Sequence, residues 1–362
     1  MKLAKCLICL LIVLLSGCFD SGERNAEPAA KPAEGPVNTN ITVNTNTTVN
    51  TNTTLNTNTP SSADLPSAKP LVLGFSQLGS ESTWREANTE SIQSAAQEAG
   101  ITLIIKNAEQ SQHKQIEAIR SFIESKVDII AVAPVVQTGW DEILEEAKQA
   151  GIPVIILDRS IAVKDPSLYV TCIGSDFFEE GVKAAKYMLD KMRRQSGLIK
   201  IAELQGTIGS TPSIDRGRGF RDTIQGRNQF QITLTEPADF TKEGGYKVMQ
   251  EFLSLPESEW PDVLFSHNDD MAIGAVTAIE EAGLKPGTDI IIISVDGTRR
   301  AFEQMIAGSI NAVVECNPLL GPLLMQAAQE IMAGRTLPKR MVPAEDIFTQ
   351  ELAAKEVGNR IY

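Results

Sequence analysis

Runs of apolar residues without polar alternation recur along most of this chain, and each is followed by a stretch of helical periodicity. From Leu71 the order is LVLGFSQ, ITLIIKNA, VDIIAVAP and IPVIILDR, with helices expected over 82–99, 112–124 and the TGWDEILEEAKQAG segment. A strand with no polar face is buried on both sides. Helices between such strands require right-handed βαβ units around a parallel sheet. The pattern then restarts with YVTCIGSD, IKIAELQG, FQITLTEP, PDVLFSHND, DIIIISVD and INAVVECNP, again separated by helical stretches. Two successive half-sheets of about five strands predict an α/β chain of two Rossmann-like lobes.

The chain has 362 residues, room for two such lobes and more. Its formal net charge is -13, or about -15 without a leader carrying Lys2 and Lys5. So acidic a chain repels a phosphate backbone, which argues against nucleic acid and for a neutral or weakly charged ligand.

The basic start MKLAK leads into an apolar run from Cys6 to Leu15. That run is too short to span a bilayer but has the length of a signal-peptide core. Leu15-Ser16-Gly17-Cys18 then looks like a bacterial lipobox, predicting that residues 1–17 are removed and that Cys18 carries lipid. Residues 18–69 change character: a Pro- and Ala-rich piece is followed by VNTNIT, VNTNTT, VNTNTT and LNTNTP with a period of six. One apolar residue in each repeat cannot build a core, so a disordered Asn/Thr-rich spacer is expected. The expected location is the periplasm or cell surface, with a folded body held to the membrane by lipid.

In open parallel sheets, ligands bind beyond the carboxyl ends of the strands. The polar residues there are Gln77, Ser80 and Glu81 after the first strand, Asn107 after the second, and Asp158 with Arg159 after the fourth. The second half offers Thr207, Asn268 with Asp269, and Asp296, while Arg216 opens a helix and Asp239-Phe240 precede another. Carboxylates accept hydroxyl hydrogens, Arg donates from a fixed fork, and Asn does both, which is the chemistry of carbohydrate recognition. Trp84 and Phe240 add rings able to cover the C–H face of a sugar. Each residue has a plainer alternative. Asp158 and Asp296 would cap the next helix, the arginines would form ion pairs, Asn268 would make a turn, and Trp84 would fill a core.

Enzyme readings find little support. No GxGxxG follows a strand, and GxxxxGK[ST], HExxH and GxSxG are all missing from the sequence. His113 and His267 are too scattered for an imidazole metal site, His113 reading as a surface residue and His267 as one near the cleft. No cofactor, metal or catalytic residue is expected. Cys172 and Cys316 read as small buried hydrophobes, with a single oxidised pair as the alternative.

The segments GFSQLGSESTWREAN, DIIAVAPVVQTGW, IPVIILDRSI, LQGTIGSTPSIDRGRGF, FSHNDDMAIGAVTAIEEAGLKPG and SVDG resemble the ribose/galactose-type periplasmic binding proteins that feed ABC sugar transporters. GSESTWR, APVVQTGW and LDRSI resemble the galactofuranose-binding subgroup in particular. The resemblance implies a periplasmic binding protein-like fold with a three-crossing hinge and a central ligand cleft. One lobe would comprise 70–174 and 317–344, the other 175–316 and 345–362. It also implies sugar contacts from Asp158 and Arg159 in the first lobe and from Arg216, Asn268 and Asp296 in the second. Ser80, Glu81, Trp84 and Arg85 would join them from the GSESTWR loop, and Asp239 from beyond the sixth or seventh strand. Where the ribose binder's hinge carries a glutamine this chain has Cys316, which argues against ribose and makes the adjacent Glu315 a further candidate.

The expected role is the substrate-binding lipoprotein of an ABC sugar importer, monomeric in its body, handing a monosaccharide to a permease with its ATPase. The alternative is a sugar sensor reporting to a chemoreceptor or sensor kinase. Replacing Arg216 with alanine is expected to abolish most binding with little loss of folding. A disulfide between Cys172 and Cys316, both near expected crossings, would restrain closure.

Overall fold

A computed structural model describes residues 69–362. The expected leader, the expected lipidation site Cys18 and nearly all of the spacer lie outside the described residues.

The apolar runs fold into two separate six-stranded sheets. The first comprises β1 (Val72–Gln77), β2 (Thr102–Asn107), β3 (Ile129–Val132), β4 (Val154–Leu157) and β5 (Thr171–Ile173). The second comprises β6 (Ile199–Gln205), β7 (Phe230–Pro237), β8 (Val263–Ser266), β9 (Ile291–Asp296) and β10 (Ala312–Glu315). Each gains a short sixth strand from the end of the chain: β11 (Arg340–Met341) joins the first sheet and β12 (Ile347–Thr349) the second. The orders are β11-β5-β4-β3-β1-β2 and β12-β10-β9-β8-β6-β7. Every pairing is parallel except β12 on β10, which is antiparallel.

Helices cover both faces of each sheet, as double-sided apolar strands require. Central strands such as β3 and β4 are buried along their whole length. ITLIIKNA departs from that expectation. It forms edge strand β2, whose outer face carries Thr102, Ile104 and Lys106 and leaves Ile104 exposed. YVTCIGSD, which restarts the pattern in the sequence, forms β5 and still belongs to the first sheet.

The chain passes between the sheets three times: after β5 into helix Phe177–Lys191, after β10 into helix Gly321–Met332, and between β11 and β12. Gly181 and Gly219 let helices Phe177–Lys191 and Thr211–Ile224 touch backbone to backbone. A Cβ at Gly181 would lie 2.1 Å from the Arg216 carbonyl oxygen, and one at Gly219 2.1 Å from that of Phe178. That close approach carries Arg216 inward. Cys172 and Cys316 are both buried and unpaired, so the alternative of an oxidised pair is not what the structure holds.

Candidate functional site

The carboxyl ends of the strands face a small cavity walled by both lobes. From the first lobe come Glu81, Ser82, Trp84 and Arg85, which follow β1, and Asp158 with Arg159, which follow β4. Phe177, Pro212, Arg216, Phe240, Asn268 and Asp296 come from the second, and Cys316 lies on a passage between them.

Asp158, just after β4, and Asp296, the last residue of β9, hold unusual backbone, with φ of +61° and +130°. Neither caps the following helix; Thr298 does that after Asp296, accepting from the Ala301 amide. Strain kept at matching positions of two lobes marks a site the surroundings over-determine.

The first lobe's charges form a closed group. Arg85 Nη2 donates to Asp158 Oδ2 at 2.6 Å, and its Nε donates to Glu81 Oε1 at 3.2 Å. Arg159 stands 3.7 Å from Glu81 and 3.9 Å from Asp158, and its Nη1 donates to the Val135 carbonyl at 3.0 Å. Burial, and then the Arg85 charge, lower Arg159 to about 10, whereas the charges of Asp158 and Glu81 outweigh burial and raise Arg85.

In the second lobe, Arg216 Nε donates to Glu180 Oε2 at 2.6 Å and Nη1 to the His267 carbonyl at 2.5 Å, with Asp296 3.9 Å away. Burial would depress Arg216, but the Glu180 carboxylate above all holds it raised. Burial also raises Asp296 well above the carboxylate range, and neighbouring Asp269 adds to the effect. Each cavity arginine stacks on a ring that fixes its plane: Arg85 on Trp84 at 4.7 Å, Arg159 on Phe240 at 5.2 Å and Arg216 on Phe177 at 5.1 Å.

Three carboxyl groups and three arginines line the cavity. Four buried polar atoms of these side chains have no hydrogen-bond partner among the described residues: the donors Arg85 Nη1 and Arg159 Nε, and the acceptors Glu81 Oε2 and Asp296 Oδ2. Such atoms are costly unless something bonds them. Asn268 differs, because it caps helix Asp269–Glu281 through the Met271 amide and donates to the Phe240 carbonyl.

The lobes also touch directly around the cavity. The Thr83 amide and hydroxyl both donate to Asp270 Oδ2 at 2.9 Å. Across the mouth, the Gln137 amide donates to the Gly209 carbonyl at 3.0 Å and the Ser160 amide to Thr211 Oγ1 at 3.1 Å. Trp84 reaches from the first lobe into a core cluster of the second and donates to the Cys316 carbonyl at 2.6 Å.

Three residues expected at the site do not line the cavity. Ser80 is exposed and borders a separate surface hollow with Gln77 and Asn107. Asp239 is exposed because both it and Phe240 take left-handed backbone, at φ +55° and +62°, and it is Phe240 that turns inward. Glu315 is occupied by Arg360 at 2.5 Å and by the Asp346 amide. His267 lies beneath the cavity, paired with Glu203 at 3.0 Å.

Ser82, Phe177, Pro212 and Cys316 also line the cavity, although their sequence positions did not mark them for it. The burial of Arg216 against Glu180 argues against the expectation that alanine there costs little folding. Among the described residues, Glu180, Cys316 and Glu345 form the acid and thiol group close enough to share a metal. Arg216, Ser175 and the Asn317 amide already bond its carboxylates.

A profile of the periplasmic binding protein domain matches residues 73–336. The galactofuranose-binding protein of Escherichia coli K12 is 41% identical over 291 residues, covering 80% of this chain and 91% of its own. A Mycobacterium smegmatis protein solved with β-D-fucofuranose is 48% identical, with a TM-score of 0.78 over 80% of this chain and 95% of that one. The arabinose ABC transporter binding component of Shewanella sp. ANA-3, bound to α- and β-L-arabinofuranose, is 46% identical. Its TM-score is 0.77, with the alignment covering 80% of this chain and 95% of that one.

Proposed function

The chain belongs to the periplasmic binding protein family as an extracytoplasmic substrate-binding protein of the ABC sugar-importer kind, and on that premise we propose that it captures a monosaccharide in its furanose form, galactofuranose first among them, and delivers it to a permease driven by an ATPase. The family binds its ligands and does not transform them.

The observation that carries this reading is the set of unpartnered donors and acceptors on both walls of one cavity: Arg85 Nη1, Arg159 Nε, Glu81 Oε2 and Asp296 Oδ2. Ring hydroxyls both donate and accept, so one sugar can bond all four. Each charged bond contributes roughly 1.5–3 kcal/mol, enough for a few of them to discriminate hydroxyl geometry. The rings of Trp84, Phe177 and Phe240 supply apolar faces for C–H groups. The three relatives described above share a five-membered sugar ring and differ in the groups it carries, which supports the ring form more strongly than any single sugar.

Bonding groups of both lobes at once, the sugar favours the closed arrangement by its differential affinity, and the permease acts on that arrangement. The LSGC sequence ending at Cys18 supports a lipid tether. Magnetic resonance of the protein with isotopically labelled galactose and arabinose in turn tests the ring form. The bound anomeric signal should be that of a furanose for at least one of them. Pyranose signals alone, or no bound signal from either sugar, would contradict the proposal.

A further inference from the structure

Behind the cavity, the three passages between the lobes meet at one side chain. Glu345 Oε1 accepts from the Ser175 hydroxyl at 2.5 Å and from the Asn317 amide at 2.8 Å. Ser175 lies on the first passage, Asn317 on the second and Glu345 on the third. The Glu345 carbonyl accepts from Lys183 Nζ at 2.8 Å, and Arg340 Nη2 donates to the Ser175 carbonyl at 2.5 Å. One carboxylate oxygen each from Glu345 and Glu180, together with the Cys316 sulfur, lie within 4.8 Å of one another. Glu180 is the partner of Arg216, and its Oε1 is buried with no hydrogen-bond partner among the described residues. A polar path thus runs from the cavity wall through Arg216 and Glu180 to the carboxylate that joins the crossings.

We propose that Glu345 is a positioning residue: a proton held on Glu345, beside the Glu180 carboxylate, keeps the three crossings together and keeps Arg216 in place at the cavity. Two carboxylates this close in a buried setting do not both ionise readily. Burial, and then the Glu180 charge, raise Glu345 to about 8, against the opposing pull of Ser175, Asn317 and Arg216. The groups facing it are Glu180 and Lys183 from helix Phe177–Lys191, Arg216 from helix Thr211–Ile224 and Cys316 from the second passage, with Arg340 of β11 on the far side of Ser175. Burial raises the Cys316 thiol well above its ordinary range, so it stays protonated and leaves the titration to the carboxylates. Above about pH 8 the Glu345 proton leaves and two like charges face each other across the hinge.

The part concerning Arg216 rests on the sugar-capture reading; the hinge part does not. Hydrogen exchange of the full chain without sugar, corrected for the intrinsic effect of pH, tests the hinge directly. Between about pH 6 and about pH 9, amides of all three passages should lose protection together, and Glu345→Gln should remove that step. In parallel, affinity for galactofuranose should weaken severalfold over the same interval in the wild type and stay level in Glu345→Gln, with Glu345→Asp restoring a pH dependence. Level exchange in the wild type, which needs no variant to fold, would overturn the proposal. So would an identical step in Glu345→Gln. No sugar response at any pH, with the exchange step intact, would sink the sugar reading and leave the hinge role standing.

Discussion

Arg216 and Glu180 meet at 2.6 Å with both side chains buried, so the second lobe's arginine is held from behind by a carboxylate that does not line the cavity. Binding and folding are therefore coupled at this position.

Arg216→Ala should lose most sugar binding and also destabilise the protein by about 3–5 kcal/mol, because Glu180 is left as an unpaired buried charge. Arg216→Met with Glu180→Gln should recover much of that stability and none of the binding. Urea unfolding beside ligand titration of both variants separates the two effects.

Asp270 holds the Thr83 amide and hydroxyl across the cleft yet does not line the cavity. Asp270→Ala should leave the sugar contacts in place and favour opening, so release should speed up by about tenfold, as the loss of one to two hydrogen bonds implies. Stopped-flow tryptophan fluorescence should report it, since Trp84 sits where the lobes meet.

Glu345 sets a pH dependence whose sign is fixed by its shift. Its folded carboxyl is raised to about 8, above the unfolded value of about 4.3. Its contribution to stability is therefore full below the unfolded value and is lost as pH rises through about 8. Glu345→Gln should match the wild type near pH 5 and exceed it near pH 9 by about 2 kcal/mol, after discounting for partial exposure. Denaturant melts at the two pH values check this.

Much of the architecture was legible because double-sided apolar strands admit few arrangements, and the strand-end rule then selects Asp158, Arg159 and Asp296 directly. The rule weakens with distance from the strand. Ser80 and Glu81 are neighbours in one loop, and only packing sends Glu81 inward. At Asp239 and Phe240 a pair of left-handed residues reverses which side chain faces the ligand. Phe177 and Pro212 begin helices, where a proline at the first turn and a core phenylalanine are unremarkable. Their place in the cavity follows from the approach of the lobes, which no local pattern encodes. The antiparallel β12 and the junction at Glu345 likewise depend on where the chain returns after long separations.

A furanose that bridges the two lobes is the ligand the cavity suits best. Isothermal titration of the protein, freed of carried-over sugar, against galactofuranose, galactopyranose, arabinose and ribose tests it most directly. Galactofuranose should bind with submicromolar affinity, corresponding to about -8 kcal/mol or better, and galactopyranose much more weakly. Equal affinity for the two ring forms, or no heat from any of the four, would contradict it.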